Sequence, residues 1–150
     1  MSRYSIKELE KLSGIKAHTI RIWEKRYQII DPKRTPTNIR YYYDEDLKLL
    51  LNIAMLNRNG YRISKIAAME EEEIAQKAAE LSNLQMENEN QLDALTMAMI
   101  ELDEVKFNRI IDLNVEELGF EKTMLEVIYP LLDKLSVLYM AGSIKPVQEN

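Results

Sequence analysis

Between positions 16 and 40 this 150-residue chain gathers Lys16, Arg21, Lys25, Arg26, Lys33, Arg34 and Arg40. Such a cluster suits a polyanion. Each phosphate that a Lys or Arg neutralises releases counterions and adds salt-dependent affinity. Alone, any one of these side chains reads as solvated surface; their clustering argues for a shared task. Arg21 has a second option, because a guanidinium can take O6 and N7 of guanine together, worth roughly 1–3 kcal/mol of discrimination. It could equally clamp a phosphate. His18 and Thr19 add hydrogen-bonding groups beside it, and the Tyr27 hydroxyl can reach a phosphate while its ring packs.

Other chemistry finds little support. Cysteine is absent, which removes disulfides and thiolate metal sites, and His18 is the single histidine. No nucleophile–base pair, glycine-rich phosphate loop or metal-ligand spacing occurs, so the chain reads as neither an enzyme nor a metal protein. Consecutive carboxylates at Glu70 to Glu73 point in different directions around a helix and read as a solvated face. Met97, Met99, Met124 and Met140 read as core in preference to a ligand pocket. No apolar run approaches the ~18 residues of a spanning helix, and the N-terminus lacks a signal-peptide core. A cytoplasmic setting without membrane contact is the expectation.

The net charge of −5 conceals a division. Residues 1–66 carry 14 Lys/Arg against 7 Asp/Glu, whereas residues 67–150 carry 6 against 18. A basic part can therefore face phosphates while an acidic part stays away from them.

The elements that position the basic cluster can be read in order. Ser5 and Glu8 form a capping box that opens a helix with Ile6, Leu9 and Leu12 as its buried stripe. Ser13-Gly14 breaks it, and Ile15 can pack inside the corner. A second helix runs from about Ala17 to Tyr27. At 100° per residue Ile20, Trp23 and Tyr27 fall on one side, and His18, Arg21, Ile22 and Lys25 on the other, with Thr19 and Arg26 flanking. From Asp31 to Tyr43 the prolines and the alternation of Ile39, Tyr41 and Tyr43 with Arg40 and Tyr42 predict a two-stranded wing. Leu47, Leu50, Leu51 and Ala54 predict a helix ending at Asn59-Gly60, and Ser64 to about Met69 a short one. Ile74, Ala78 and Leu81 carry a helical period through the acidic run. The polar stretch Asn83 to Asn90 is the expected hinge, giving a domain at 1–70, a connector at 71–90 and a helical bundle at 91–150.

In the bundle, Leu92, Leu95 and Met99 mark one helix, and Phe107, Ile110, Ile111 and Leu118 a second that Gly119 ends. Met124, Leu125, Ile128, Leu131, Leu132, Leu135 and Leu138 mark a third, which Pro130 should kink or restart. Gly142 caps it. Ser143 then opens a further helix with Pro146 in its first turn, so a shortened chain or a longer natural protein is expected, with an incomplete bundle.

Two resemblances follow from these residues. Thr19 through Tyr27, then Arg40-Tyr41-Tyr42 and Glu45-Asp46-Leu47, in this order and spacing, resemble the MerR family of transcription regulators over roughly residues 3–69. The resemblance implies a winged helix-turn-helix in which Arg21, Tyr27, Arg40 and Tyr42 contact double-stranded DNA. It also implies a homodimer on a two-fold-related operator, acting with or against RNA polymerase by distorting or occluding a promoter. Asn38 stands where a wing glycine is usual, and Lys16 where a Ser-like cap is usual; Asn also tolerates positive φ. In the bundle, Tyr129-Pro130-Leu131-Leu132 and Leu138 through Ile144 resemble the helical module before a cobalamin-binding domain. There the family caps cobalamin with a Trp followed by Glu-His; here Tyr139 replaces the Trp, Glu149 matches the Glu, and Asn150 replaces the His. With two of three capping groups changed, no cofactor is assigned to the chain as it stands.

The expectation is a mainly α protein, a winged helix-turn-helix with a small β-hairpin followed by a truncated helical bundle, serving sequence-specific DNA binding. Its interface comprises Lys16, His18, Thr19, Arg21, Lys25, Arg26, Tyr27, Lys33, Arg34, Arg40 and Tyr42. The competing readings are a cobalamin- or small-ligand-binding module of a carrier or photoreceptor, and an excisionase-like architectural DNA binder.

Overall fold

A computed structural model describes residues 3–84 and 88–141, with side chains described outside 82–90 and up to residue 140. The chain divides into two compact units between Glu80 and Leu81. The fold is mainly helical with one small hairpin, as the sequence implies.

In the first unit, α1 (Ile6–Ser13) begins with the capping box in place. The Glu8 N–H donates to Ser5 Oγ at 3.1 Å, and the Ser5 N–H donates to Glu8 Oε1 at 2.8 Å. The apolar stripe of Ile6, Leu9 and Leu12 is buried. Gly14 then turns the chain at φ 79°, its N–H donating to the Glu10 carbonyl at 2.8 Å. A Cβ at Gly14 would meet no atom within 4 Å. The cost of Gly14→Ala is therefore the left-handed backbone alone, and thermal denaturation is expected to show a loss of about 1–2 kcal/mol.

The second helix, α2 (Ala17–Tyr27), is followed by β1 (Lys33–Arg34) and β2 (Arg40–Tyr41), paired antiparallel with Lys33 opposite Tyr41 and Arg34 opposite Arg40. Next come α3 (Asp44–Arg58), α4 (Ile63–Ala67) and α5 (Glu71–Leu84). The core element is α3, whose Leu47, Leu50, Leu51, Ile53 and Leu56 are buried; α1 and α4 pack on it. The acidic run does start a helix, and its Ile74 and Ala78 are buried.

The second unit comprises α6 (Asn88–Ile100), α7 (Glu104–Leu118), α8 (Phe120–Thr123), a π-helical turn (Met124–Ile128) and α9 (Tyr129–Ala141). Leu92, Ala94, Leu95, Ile110, Val127 and Leu131 form its core, with Met99, Phe107 and Ile111 packed against it. Proline cannot supply an interior helical hydrogen bond, and the distortion expected at Pro130 is a π turn just before it. There the Tyr129 N–H reaches back to the Met124 carbonyl. The buried stripe is narrower than expected: Val127, Leu131, Val137 and Leu138 are buried, while Leu125, Leu132 and Met140, expected inside, are exposed. Gly142, Ser143 and Pro146 lie outside the described residues, as does residue 85–87 backbone of the expected hinge. No helix among the described residues is long and apolar enough to cross a membrane.

Candidate nucleic-acid interface

The geometry of α2 follows from its sequence phase. Ala17, Ile20, Trp23 and Glu24 are buried, and Ile20 is fully so. His18, Arg21, Ile22, Lys25 and Arg26 are exposed, with Thr19 and Tyr27 half-buried at the edges and Lys16 exposed at the N-cap. An amphipathic helix thus turns an almost wholly cationic and hydrogen-bonding face outward. Tyr27 packs under Arg26, whose guanidinium carbon lies 5.5 Å from the ring centre.

Lys16 provides no side-chain cap. Instead Glu10 of α1 reaches across the turn, its Oε1 accepting the Ala17 N–H at 3.2 Å. The carboxylate sits at the positive end of the α2 dipole, where it does the work of the missing serine. Ser13 Oγ accepts the Ile15 N–H at 3.1 Å and closes the turn from the other side.

The wing is a hairpin whose tip, from Thr35 to Asn38, is closed by an Asn38 N–H to Thr35 carbonyl bond of 2.8 Å. Asn38 takes φ 66°, the left-handed conformation for which a glycine or asparagine is suited. Exposed Arg34 braces this turn, donating from Nη1 to the Asn38 carbonyl at 3.2 Å and to its Oδ1 at 3.3 Å. Two-residue strands have little stability of their own, so the wing must be held by side chains at its base.

Three attachments do this. Lys33 Nζ donates to Asp46 Oδ2 at 3.0 Å, and that same oxygen accepts the Tyr43 N–H at 2.9 Å at the start of α3. Burial lowers the Lys33 ammonium, but the hydrogen bond and charge of Asp46 outweigh it and hold the group above its ordinary range. Tyr4 and Tyr42 exchange both backbone hydrogen bonds at 2.8 Å, adding the N-terminal segment beside the wing strand. Finally, Arg40 Nε donates to Glu24 Oε1 at 3.1 Å and the Tyr42 hydroxyl donates to Glu24 Oε2. Glu24 therefore joins α2 to the returning strand.

These contacts revise two of the expected roles. Tyr42, expected on the DNA face, is fully buried, with its hydroxyl committed to Glu24. It cannot reach a phosphate from there and serves the scaffold. Burial, then the Glu24 hydrogen bond and charge, push its phenol well above the ordinary tyrosine range. Above pH ~10 the unfolded chain would ionise Tyr42 while the folded chain keeps it neutral, so stability must fall as pH rises, by about 1.4 kcal/mol per pH unit at most. Urea titrations at increasing alkaline pH should show this decline, and Tyr42→Phe should make it shallower. Lys33 is likewise spent partly on Asp46, leaving a half-exposed cation at the wing base.

Glu24 and Glu10 are the residues that sequence reasoning passed over. Glu24 carried a signal: at 100° per residue it lies roughly 40° from Ile20, within the buried stripe, where a carboxylate requires partners. Arg3 also belongs at this surface, lying 4.5 Å above the Tyr41 ring. Its position ahead of α1 gives no periodic cue.

Of the candidate corrinoid-capping set only Tyr139 lies among the described residues. It is half-exposed on α9, and Glu149 and Asn150 lie outside the described residues. Of the methionines, Met97 is buried as expected and Met140 is exposed. No group of three or more His, Asp or Glu side chains among the described residues is placed to hold a metal ion.

Residues 4–73 match the family model described as MerR HTH family regulatory protein. The chain is similar to the HTH-type transcriptional repressor CarH of Myxococcus xanthus, 29% identical over 154 aligned positions that cover 98% of this chain and 51% of CarH. It is also similar to the HTH-type transcriptional regulator MlrA. The Escherichia coli K12 protein is 33% identical over 66 residues, 44% of this chain and 27% of MlrA, and the Salmonella typhimurium LT2 protein is 32% identical over 69 residues, 46% and 28% respectively. The likeness to MlrA is thus confined to about the length of one domain, whereas that to CarH runs through both units. The chain spans about half the length of CarH.

Proposed function

We propose that the chain, whose residues 4–73 match the MerR HTH family model, is a sequence-specific DNA-binding transcription regulator. The observation that carries this reading is the outward face of α2, where His18, Arg21, Lys25 and Arg26 stand together opposite a buried face of Ala17, Ile20 and Trp23. An α-helix fits the major groove, and this face offers both phosphate-neutralising and base-reading groups. Ile22, exposed among them, is suited to a thymine methyl. Lys16 and Thr19 at the start of α2 and Tyr27 at its end extend the contact, while Arg34 and Arg40 let the wing hold flanking backbone. Lys33 adds charge at the wing base.

On this reading the chain binds double-stranded DNA as a homodimer, with paired α2 helices setting half-site spacing on a two-fold operator. Its place is the cytoplasm, and its effect falls on RNA polymerase at a promoter. It is a binding protein without catalytic work. We assign the second unit to assembly or control; the likeness to a transcriptional repressor runs through it as well as through the first unit.

The test is a fluorescence titration across salt, using a duplex recovered by the chain from a random-sequence pool and a mixed-sequence duplex of equal length. Affinity should fall steeply with salt for both, and the recovered duplex should bind at least about 1000-fold more tightly at moderate salt. Binding that ignores salt, or no preference between the two duplexes, would sink the reading.

A further inference from the structure

Glu24 is the only carboxylate in α2, a helix that otherwise shows cations to solvent, and it is only 8% exposed. A buried carboxylate is costly unless its lone pairs are matched, and beside a phosphate-binding face it also repels the ligand. Here both oxygens are matched, and both partners, Arg40 and Tyr42, come from the strand that returns from the wing. We propose that Glu24 is a positioning residue that fixes Arg40 and the wing relative to α2, so that helix and wing meet DNA as one preorganised reader. The proposal rests on the DNA-binding reading above.

The geometry gives the device its direction. Glu24 holds Arg40 through Nε at 3.1 Å. A guanidinium is planar, so a carboxylate on Nε also sets the plane in which both terminal nitrogens lie, and those nitrogens remain suited to forked recognition of a phosphate. Tyr42, anchored on the second oxygen and paired through its backbone with Tyr4, prevents the strand from sliding. The Lys33 to Asp46 tie of the wing runs to α3, whereas Glu24 ties it to α2.

Charge counting and positioning predict opposite results for Glu24→Gln. The substitution removes a negative charge near the DNA, so electrostatics alone would tighten binding to every duplex. Under the positioning role, mixed-sequence binding holds or rises, while affinity for the recovered duplex falls about tenfold, and the ratio between the two drops with it. Arg40→Lys keeps the charge but loses Nε and the planar fork, and should lower the same ratio with an unchanged salt slope. The two losses share one cause, so the double variant should lose far less than their product.

Far-UV circular dichroism first establishes which variants fold. If Glu24→Gln tightens both duplexes alike, or if the two losses multiply, the proposal is overturned. Should Glu24→Gln fail to fold, Arg40→Lys decides: an unchanged ratio overturns the proposal, and a lowered ratio at equal salt slope supports it. A wild-type chain that shows no preference between duplexes would instead remove the DNA-reading premise, an outcome visible before any variant is made.

Discussion

Arg21→Glu is expected to weaken binding to the recovered duplex by about 100-fold or more at moderate salt. The side chain stands on the exposed side of α2, next in sequence to fully buried Ile20, so its own reversal leaves the packing of the helix untouched. The loss then belongs to the interface. A guanidinium that reads guanine contributes roughly 1–3 kcal/mol, and a carboxylate placed against phosphate or a base acceptor adds repulsion to that loss. Salt dependence separates the two roles open to Arg21. If it neutralises a phosphate, the slope of log affinity against log salt should shrink by about one contact's worth. Arg21→Lys resolves the same question from the other side: a phosphate contact tolerates the ammonium, while a forked contact to guanine does not and discrimination collapses at one base position. Survival of affinity under Arg21→Glu would remove α2 from the groove altogether.

The reach of sequence reasoning differed along the chain for physical reasons. The outward face of α2 was legible because helical phase alone separates Arg21 and Lys25 from Ile20 and Trp23. The Ser5–Glu8 capping box and the left-handed Asn38 were legible because both are local chemistry. Tyr42 was not. Strand alternation places Tyr42 opposite Tyr41 and Tyr43 but does not say which side faces inward; its partners, Tyr4 and Glu24, come from distant parts of the chain. The capping of α2 by Glu10 has the same character, a contact across a turn in place of a local cap. In the second unit, Pro130 announced a distortion, but a straight 3.6-residue period cannot say that a π turn will absorb it. The exposure of Leu125 and Leu132 needs no such turn: at 100° per residue they fall opposite Val127, Leu131 and Leu138, so the expected apolar stripe was too wide.

Trp23→Ala is expected to destabilise the first unit by about 3–5 kcal/mol, a large part of the roughly 5–15 kcal/mol that holds a domain folded. Trp23 lies on the face of α2 turned away from solvent, beside fully buried Ile20. An 11-residue helix is too short to persist by itself, so the indole anchors the surface that carries Arg21 and Lys25. Thermal or urea unfolding followed by far-UV circular dichroism would measure the loss; Trp23→Phe, which restores part of the volume, should recover a share of it. DNA binding supplies the sharper contrast with Arg21. Because Trp23 lies on the inward side, its loss should reduce the fraction of competent protein and leave the salt slope of what remains unchanged, and lowering the temperature or raising DNA concentration should restore binding. Reversal of Arg21 should yield to neither. If Trp23→Ala instead lowered the salt slope while stability held, the indole would be part of the contact surface, and the division of α2 into an anchoring face and a reading face would fail.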